Sequence, residues 1–188
     1  NIYSPVWAPV SLEDQWLKLQ DKDPFDYAKV ERKIPASKEL KVSFDLKAGQ
    51  NNKGTLHIEF LDENGIACSR IELTDDGIFR LKGGSRFANM MKYEAGKIYH
   101  VEAVLSTVDR NIQVYVDGKR VGLRMFYAPV AAVERIVFRT GVPRTFPTVD
   151  TPADQTYDLP NAGAQDPLAE YGIANVKTSS TDKDASSA

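Results

Sequence analysis

Apolar and polar residues alternate with a period of two along much of the chain from Leu40 to Val121. Leu40, Val42, Phe44 and Leu46 are interleaved with Lys41, Ser43, Asp45 and Lys47. Successive side chains of a strand point to opposite faces, so this rhythm predicts one buried face and one wet face. Leu56, Ile58 and Phe60 make a second inward row, and residues 66–73 a returning strand. Tyr99, Val101, Ala103 and Leu105 follow, then Ile112, Val114 and Val116. Helical periodicity is almost absent. Short alternating segments in series, separated by Gly-containing turns, predict an all-β fold: two antiparallel sheets packed as a β-sandwich.

The turns predict partners. Asp62-Glu63-Asn64-Gly65 closes a hairpin; placing Leu61 opposite Ile66 sets His57 against Arg70 and Glu59 against Cys68. Asp75-Asp76-Gly77 fits a three-residue hairpin with Gly77 left-handed. That register sets Glu72 against Arg80 and Leu73 against Phe79 and gathers the apolar residues on one face. Asp117-Gly118 marks a further tight hairpin.

Elsewhere the rhythm fades. Residues 1–37 are expected to be irregular apart from a short strand at 17–19, residues 83–96 to form a long loop, and residues 129–134 one helical turn. Ile136 and Phe138 mark another strand, and residues 171–177 a closing one. Residues 141–167 carry five prolines and read as a long loop. Residues 178–188, rich in Ser, Thr and Asp, read as a disordered tail, so one domain is expected over 1–177.

The charge balance excludes some partners. A net charge of −2 with no basic stripe argues against nucleic acid. No apolar run reaches membrane-spanning length, so a soluble chain without a membrane partner is expected. The first residues do not read as a signal peptide, which is expected to be absent or removed. Cys68 is the single cysteine and excludes an internal disulfide.

The same alternation collects His57, Glu59, Arg70, Glu72, Arg80 and Lys82 on one sheet face. Such a face could hydrogen-bond sugar hydroxyls or an acidic sugar, since arginine grips planar carboxylates with two parallel bonds. The competing expectation is a solvated face with cross-strand ion pairs such as Glu72 with Arg80. His57 beside Arg70 would also suit a polysaccharide lyase, which needs a cation for the substrate carboxylate and a base for the adjacent proton. The Gln-x-His and Arg-x-Glu-x-Arg strands of the commonest such lyases are lacking, and no carboxylate pair has the spacing of a sandwich-fold glycosidase. His100 reads as a structural strand residue. Asp21, Asp23 and Asp26 have the oxygen chemistry that calcium takes, although aspartates also belong in turns. No zinc-ligand spacing is present. Among the aromatics, Trp7 and Trp16 read as packing residues, whereas Tyr93 and Tyr127 are the candidates for exposed sugar contacts.

The run "GKIYHVEAVLSTVDRNIQVYVDGKRVG" resembles the laminin-G and concanavalin A-like sandwich domains, with Tyr99 and His100 in the aromatic-His place and Val116, Asp117 and Gly118 at the hairpin. "EYGIANVK" looks like the last strand of such domains, which often returns beside the first. "NIYSPVWAP" and "LQDKDPFDYAKVERKIPAS" are similar to sandwich domains that follow the catalytic domain of secreted bacterial polysaccharide-degrading enzymes. The resemblance implies a jelly-roll sandwich acting as a non-catalytic carbohydrate-binding or accessory domain, extracellular or periplasmic. The abrupt start and Ser/Thr-rich end fit a domain cut from a larger protein. The expected partners are a glycan or polysaccharide and a neighbouring catalytic domain. No cofactor is expected, and a structural calcium stays open. The alternatives are a small polysaccharide lyase or glycoside hydrolase, and a purely structural interaction module.

Overall fold

The computed structural model describes residues 2–3, 10–21, 28–83, 86–140 and 169–180. Its strands are β1 (Ile2–Tyr3), β2 (Val10–Glu13), β3 (Trp16–Asp21), β4 (Lys29–Ser37), β5 (Glu39–Ala48), β6 (Leu56–Leu61) and β7 (Ala67–Leu73). They continue as β8 (Ile78–Gly83), β9 (Arg86–Lys92), β10 (Ile98–Ser106), β11 (Asn111–Val116), β12 (Lys119–Met125), β13 (Val133–Thr140) and β14 (Ala169–Ser180). The first sheet has seven strands in the order β1-β4-β13-β6-β7-β8-β9. The second also has seven, in the order β12-β11-β10-β5-β14-β3-β2. Their neighbours pair antiparallel, for example β13 with β6 and β10 with β5.

The inward rows are those the alternation predicts. Val42, Phe44 and Leu46 of the second sheet face Ile58, Phe60, Ile136 and Phe138 of the first, and all are buried. Phe44 meets Phe138 edge to face, ring centroids 5.2 Å apart. Phe79 is packed the same way between Tyr93 and Tyr99, at 5.6 and 5.4 Å. Full burial of each such side chain contributes about 1.5–3 kcal/mol. Strand β14 returns between β3 and β5, as the closing strand of such domains does.

Two hairpins follow their turn residues. Gly77 is left-handed with φ 83°, and Asp117 and Gly118 have φ 50° and 83°. The pairs Glu72–Arg80 and Leu73–Phe79 are as predicted. The β6–β7 hairpin differs. His57 lies opposite Glu72 and Glu59 opposite Arg70, two residues from the expected register. The Asp62 carboxylate accepts the backbone N–H groups of Asn64 and Ile66, which draws Ile66 into the turn. An irregularity between Phe60 and Leu61 takes up the rest. A two-residue offset keeps every side chain on its face and changes only its partners.

Other expectations are corrected. Among the described residues of 1–37, β1, β2 and β4 stand where irregular chain was expected, and β3 extends the strand expected at 17–19. The sequence of β4, KVERKIPAS, buries only Ile34 and Ser37, so it shows no alternation to read. Residues 86–92 form β9 rather than loop, and residues 126–132 carry no helical turn before β13 begins at Val133. Strand β14 pairs through Ser180, beyond the expected end of the domain at residue 177. Trp7, Tyr27, residues 141–167 and residues 181–188 lie outside the described residues.

Gly54, with φ +73°, sits where a Cβ would lie 2.4 Å from the Ala169 Cβ and 2.8 Å from the Tyr171 hydroxyl. Gly65, with φ +81°, faces open space. Gly54→Ala should therefore cost roughly 2–4 kcal/mol, from left-handed strain plus overpacking. Gly65→Ala should cost only about 1 kcal/mol. Urea-denaturation midpoints of the two variants measure the difference, and equal losses would contradict the packing of β14 against this loop.

On the outer face of the second sheet, Asp45 joins three strands. It accepts hydrogen bonds from His100 Nδ1 at 2.8 Å and from Asn175 Nδ2 at 2.7 Å. The bond to Asp45 raises the His100 pKa, partial burial opposes it, and Glu102 adds to it. The bonds from Asn175 and then His100 lower that of Asp45. Since the folded His100 titrates above its unfolded value of about 6.5, its stabilisation is complete below that pH and lost as pH rises through the folded pKa. For Asp45 the contribution is present above about pH 3.9 and lost as pH falls through its depressed folded pKa. Thermal unfolding between about pH 6 and 8 should show the wild type losing stability relative to His100→Gln. Parallel curves would remove the histidine from this account.

Candidate functional site

The outward residues of the first sheet form two rows that cross its strands. Cross-strand register aligns Arg139, His57, Glu72 and Arg80 in one, and Val137, Glu59, Arg70, Lys82 and Phe87 in the next. The six charged positions singled out in the sequence thus share one face, assembled by β6, β7 and β8. His57, Glu59 and Glu72 are only 3%, 7% and 4% exposed, so the face is not the solvated surface that outward strand positions suggest.

Burial makes partners obligatory for these charges. Glu72 is held from both sides: Arg80 Nη2 donates to Oε1 at 2.6 Å, and His57 Nδ1 stands 3.6 Å from Oε2. Arg70 Nε is 3.7 Å from Glu59 Oε1, an ion pair too long to be a hydrogen bond. Glu59 Oε1 and Arg70 Nε are accordingly buried without one.

The cations at the margin lie on aromatic rings. The Arg80 guanidinium is 4.1 Å from the Phe87 ring centroid, and Lys82 Nζ is 4.3 Å from that of Tyr127. Burial, then the neighbouring Arg70 charge, lowers the Lys82 pKa, with Glu59 and Glu72 opposing. Tyr127 follows β12, and its N–H donates to the Cys68 carbonyl at 3.0 Å, which draws its ring over the first sheet. Burial pushes the Tyr127 phenol up to about 12 and the Cys68 thiol to about 12 as well. A thiol so placed is an inert filler.

Two expectations about this site fail. Tyr93 is 2% exposed; it packs on Phe79 and donates to the Thr74 carbonyl, so it belongs to the core and cannot stack on a sugar. The His57–Arg70 pair of a lyase is not formed, because His57 faces Glu72 and is buried away from any polymer. Tyr127 does reach the charged face. Phe87 was missed because residues 86–92 lack apolar alternation. Asp21 ends β3, while Asp23 and Asp26, its companions in a calcium set, lie outside the described residues.

Residues 1–155 match the family described as "Sialidase-like, CBM domain". No curated protein sequence matches the chain. Among solved structures, a sialidase is similar at 88% identity and TM-score 0.91; the match covers 99% of this chain and 17% of that one. An alginate lyase from Corynebacterium sp. matches at 6% identity and TM-score 0.60, over 94% of this chain and 82% of that one. A Trypanosoma rangeli sialidase matches at 14% identity and TM-score 0.55, over 93% and 28%. The last two share the fold alone. The chain spans about a sixth of the length of the sialidase that it matches so closely, the 17% given above. The chain belongs to the sialidase-like CBM domain family: it is a carbohydrate-binding accessory domain on a concanavalin A-like jelly-roll sandwich.

Proposed function

We propose that the chain is the accessory domain of a secreted bacterial sialidase, acting outside the cytoplasm, and that it keeps the enzyme on its substrate by binding an acidic sugar. The observation that carries this reading is the near-identity of the whole chain to one part of a sialidase. The cationic margin of the first sheet supplies the chemistry. Arg70 and Lys82 are adjacent across β7 and β8, and Arg80 stands beside them in the next row. Arg70 and Arg80 keep 17% and 33% of their side-chain surface, whereas their carboxylate partners keep less than a tenth. A sugar carboxylate arriving from solvent therefore meets donors first. Tyr127 and Phe87 flank them with apolar ring surface. Glu59 and Glu72 act from beneath by orienting the two arginines, and His57 supports Glu72.

Lys82 is the residue to remove, because it sits on Tyr127 and its loss leaves no paired carboxylate stranded. The chain should retain sialylated glycans on an array in preference to their desialylated forms. Lys82→Gln should weaken that binding about 10-fold, the size of one charge-assisted contact, without lowering the melting temperature by more than a few degrees. Raising the salt should weaken it further. Equal retention of sialylated and desialylated glycans would overturn the acidic-sugar reading.

A further inference from the structure

The outer face of the second sheet holds a groove of about 550 Å³, separate from the charged face of the first sheet. That is the size of a small-ligand site. Its floor comes from strand register. Lys18 of β3 and Lys47 of β5 both lie opposite Gly172 of β14, so two long side chains flank a position with none. A Cβ at residue 172 would stand 2.9 Å from Lys47 Cε and 3.1 Å from Trp16 Cε3. The alternating residues Leu19, Tyr171 and Ala48 point the other way, into the core. Trp16 thus lies on the solvent side and is half-buried.

The polar groups of the groove are held in place. Lys18 Nζ lies 3.3 Å from Glu13 and 3.6 Å from Glu170, and Gln20 donates to Glu170 at 2.6 Å. The backbone at one end is tied down, with Gly49 N–H donating to the Glu170 carbonyl and Gly96 N–H to that of Ala48. Lys47 Nζ rests 4.2 Å from the Trp16 ring centroid. A flexible lysine stem can leave that ring to a ligand.

We infer that this groove is a sugar site, separate from the cationic margin, and that it takes a neutral pyranose. A pyranose has an apolar C–H face, which suits the indole of Trp16, and a girdle of hydroxyls that both donate and accept. Glu13 and Glu170 accept from such hydroxyls, and Lys18 donates to them, while Lys47 covers the ring until a ligand displaces it. The lining carries the carboxylates of Glu13, Asp14 and Glu170 against the ammonium groups of Lys18 and Lys47. That excess of negative charge disfavours an acidic sugar here, the opposite of the first sheet's margin. The site stands whether or not that margin takes an acidic sugar.

Titration of the whole chain with methyl glucoside, methyl galactoside, methyl mannoside and glucuronate, followed by two-dimensional NMR, tests this. At least one neutral glycoside should shift the Trp16 indole and Gly172 amide signals, and glucuronate should shift these two signals at concentrations at least about 10-fold higher. Trp16→Ala, at a surface position, should abolish the shifts at Gly172 with the fold intact. Lys47→Ala, which frees the ring, should preserve or tighten binding, and Lys82→Gln should leave it unchanged. Absence of any shift with all three neutral glycosides would overturn the site. Saturation of the Trp16 and Gly172 signals by glucuronate at lower concentration than by the neutral glycosides would overturn its class.

Discussion

The edge-to-face contact of Phe44 with Phe138, 5.2 Å between centroids, joins the interior strands of the two sheets, and the arrangement of both outer faces depends on it. Strand β5 pairs with β10 and β14, and β13 pairs with β4 and β6. Once Phe44 and Phe138 point inward, the two-residue period dictates which residues of every paired strand point outward. Asp45 and Lys47 must then face solvent on one side, and His57, Glu59, Arg70 and Glu72 must line the other. The polar character of both outer faces is a by-product of the packing that makes the core.

The two outer faces meet this condition differently. Strands β6 and β7 are buried on both sides, and their outward positions are charged. Desolvating a carboxylate costs several kcal/mol unless it is paired, and removing one partner of a buried pair costs about 3–5 kcal/mol. Glu72 answers with Arg80 and His57 together. The Arg70–Glu59 pair, at 3.7 Å, is the looser one. Such a layer is a buried floor, and its more exposed cations, Arg70 and Arg80, stand at the rim. The second sheet solves the problem by leaving a residue out. Gly172 places a trough between two lysines, and its neighbours hold the ion pairs at the edges rather than beneath.

Much of this was legible in the chain. The inward rows of β5, β6, β10 and β11, the β7–β8 register and the Asp117-Gly118 turn follow from alternation and turn chemistry alone. The membership of the charged face follows too, because parity survives any even offset. What escaped is where these signals are absent. Strand β4 contains Pro35 and a run of charges, and β9 carries mixed residues, so both read as loop. Tyr93 sits just past β9 and looked exposed for that reason, whereas its hydroxyl finds the Thr74 carbonyl and its ring the core. The face of Trp16 could not be read, because an isolated tryptophan in a segment without alternation gives none. Only the pairing of β3 with β14 reveals that it points outward beside a glycine.

The β6–β7 hairpin shows how little separates two chemistries on this scaffold. With Leu61 opposite Ile66, His57 would stand against Arg70, a base beside a carboxylate-binding cation. The Asp62 side chain takes the N–H groups of Asn64 and Ile66, the turn lengthens, and His57 meets Glu72 instead. His57 stands 3.6 Å from a carboxylate that Arg80 also holds, and Arg70 is left to Glu59. The same six residues, on the same face, thereby form cross-strand carboxylate pairs rather than setting His57 against Arg70. The difference lies in a turn that touches none of them, so partner assignment across a hairpin has to be settled before chemistry is read from a shared face.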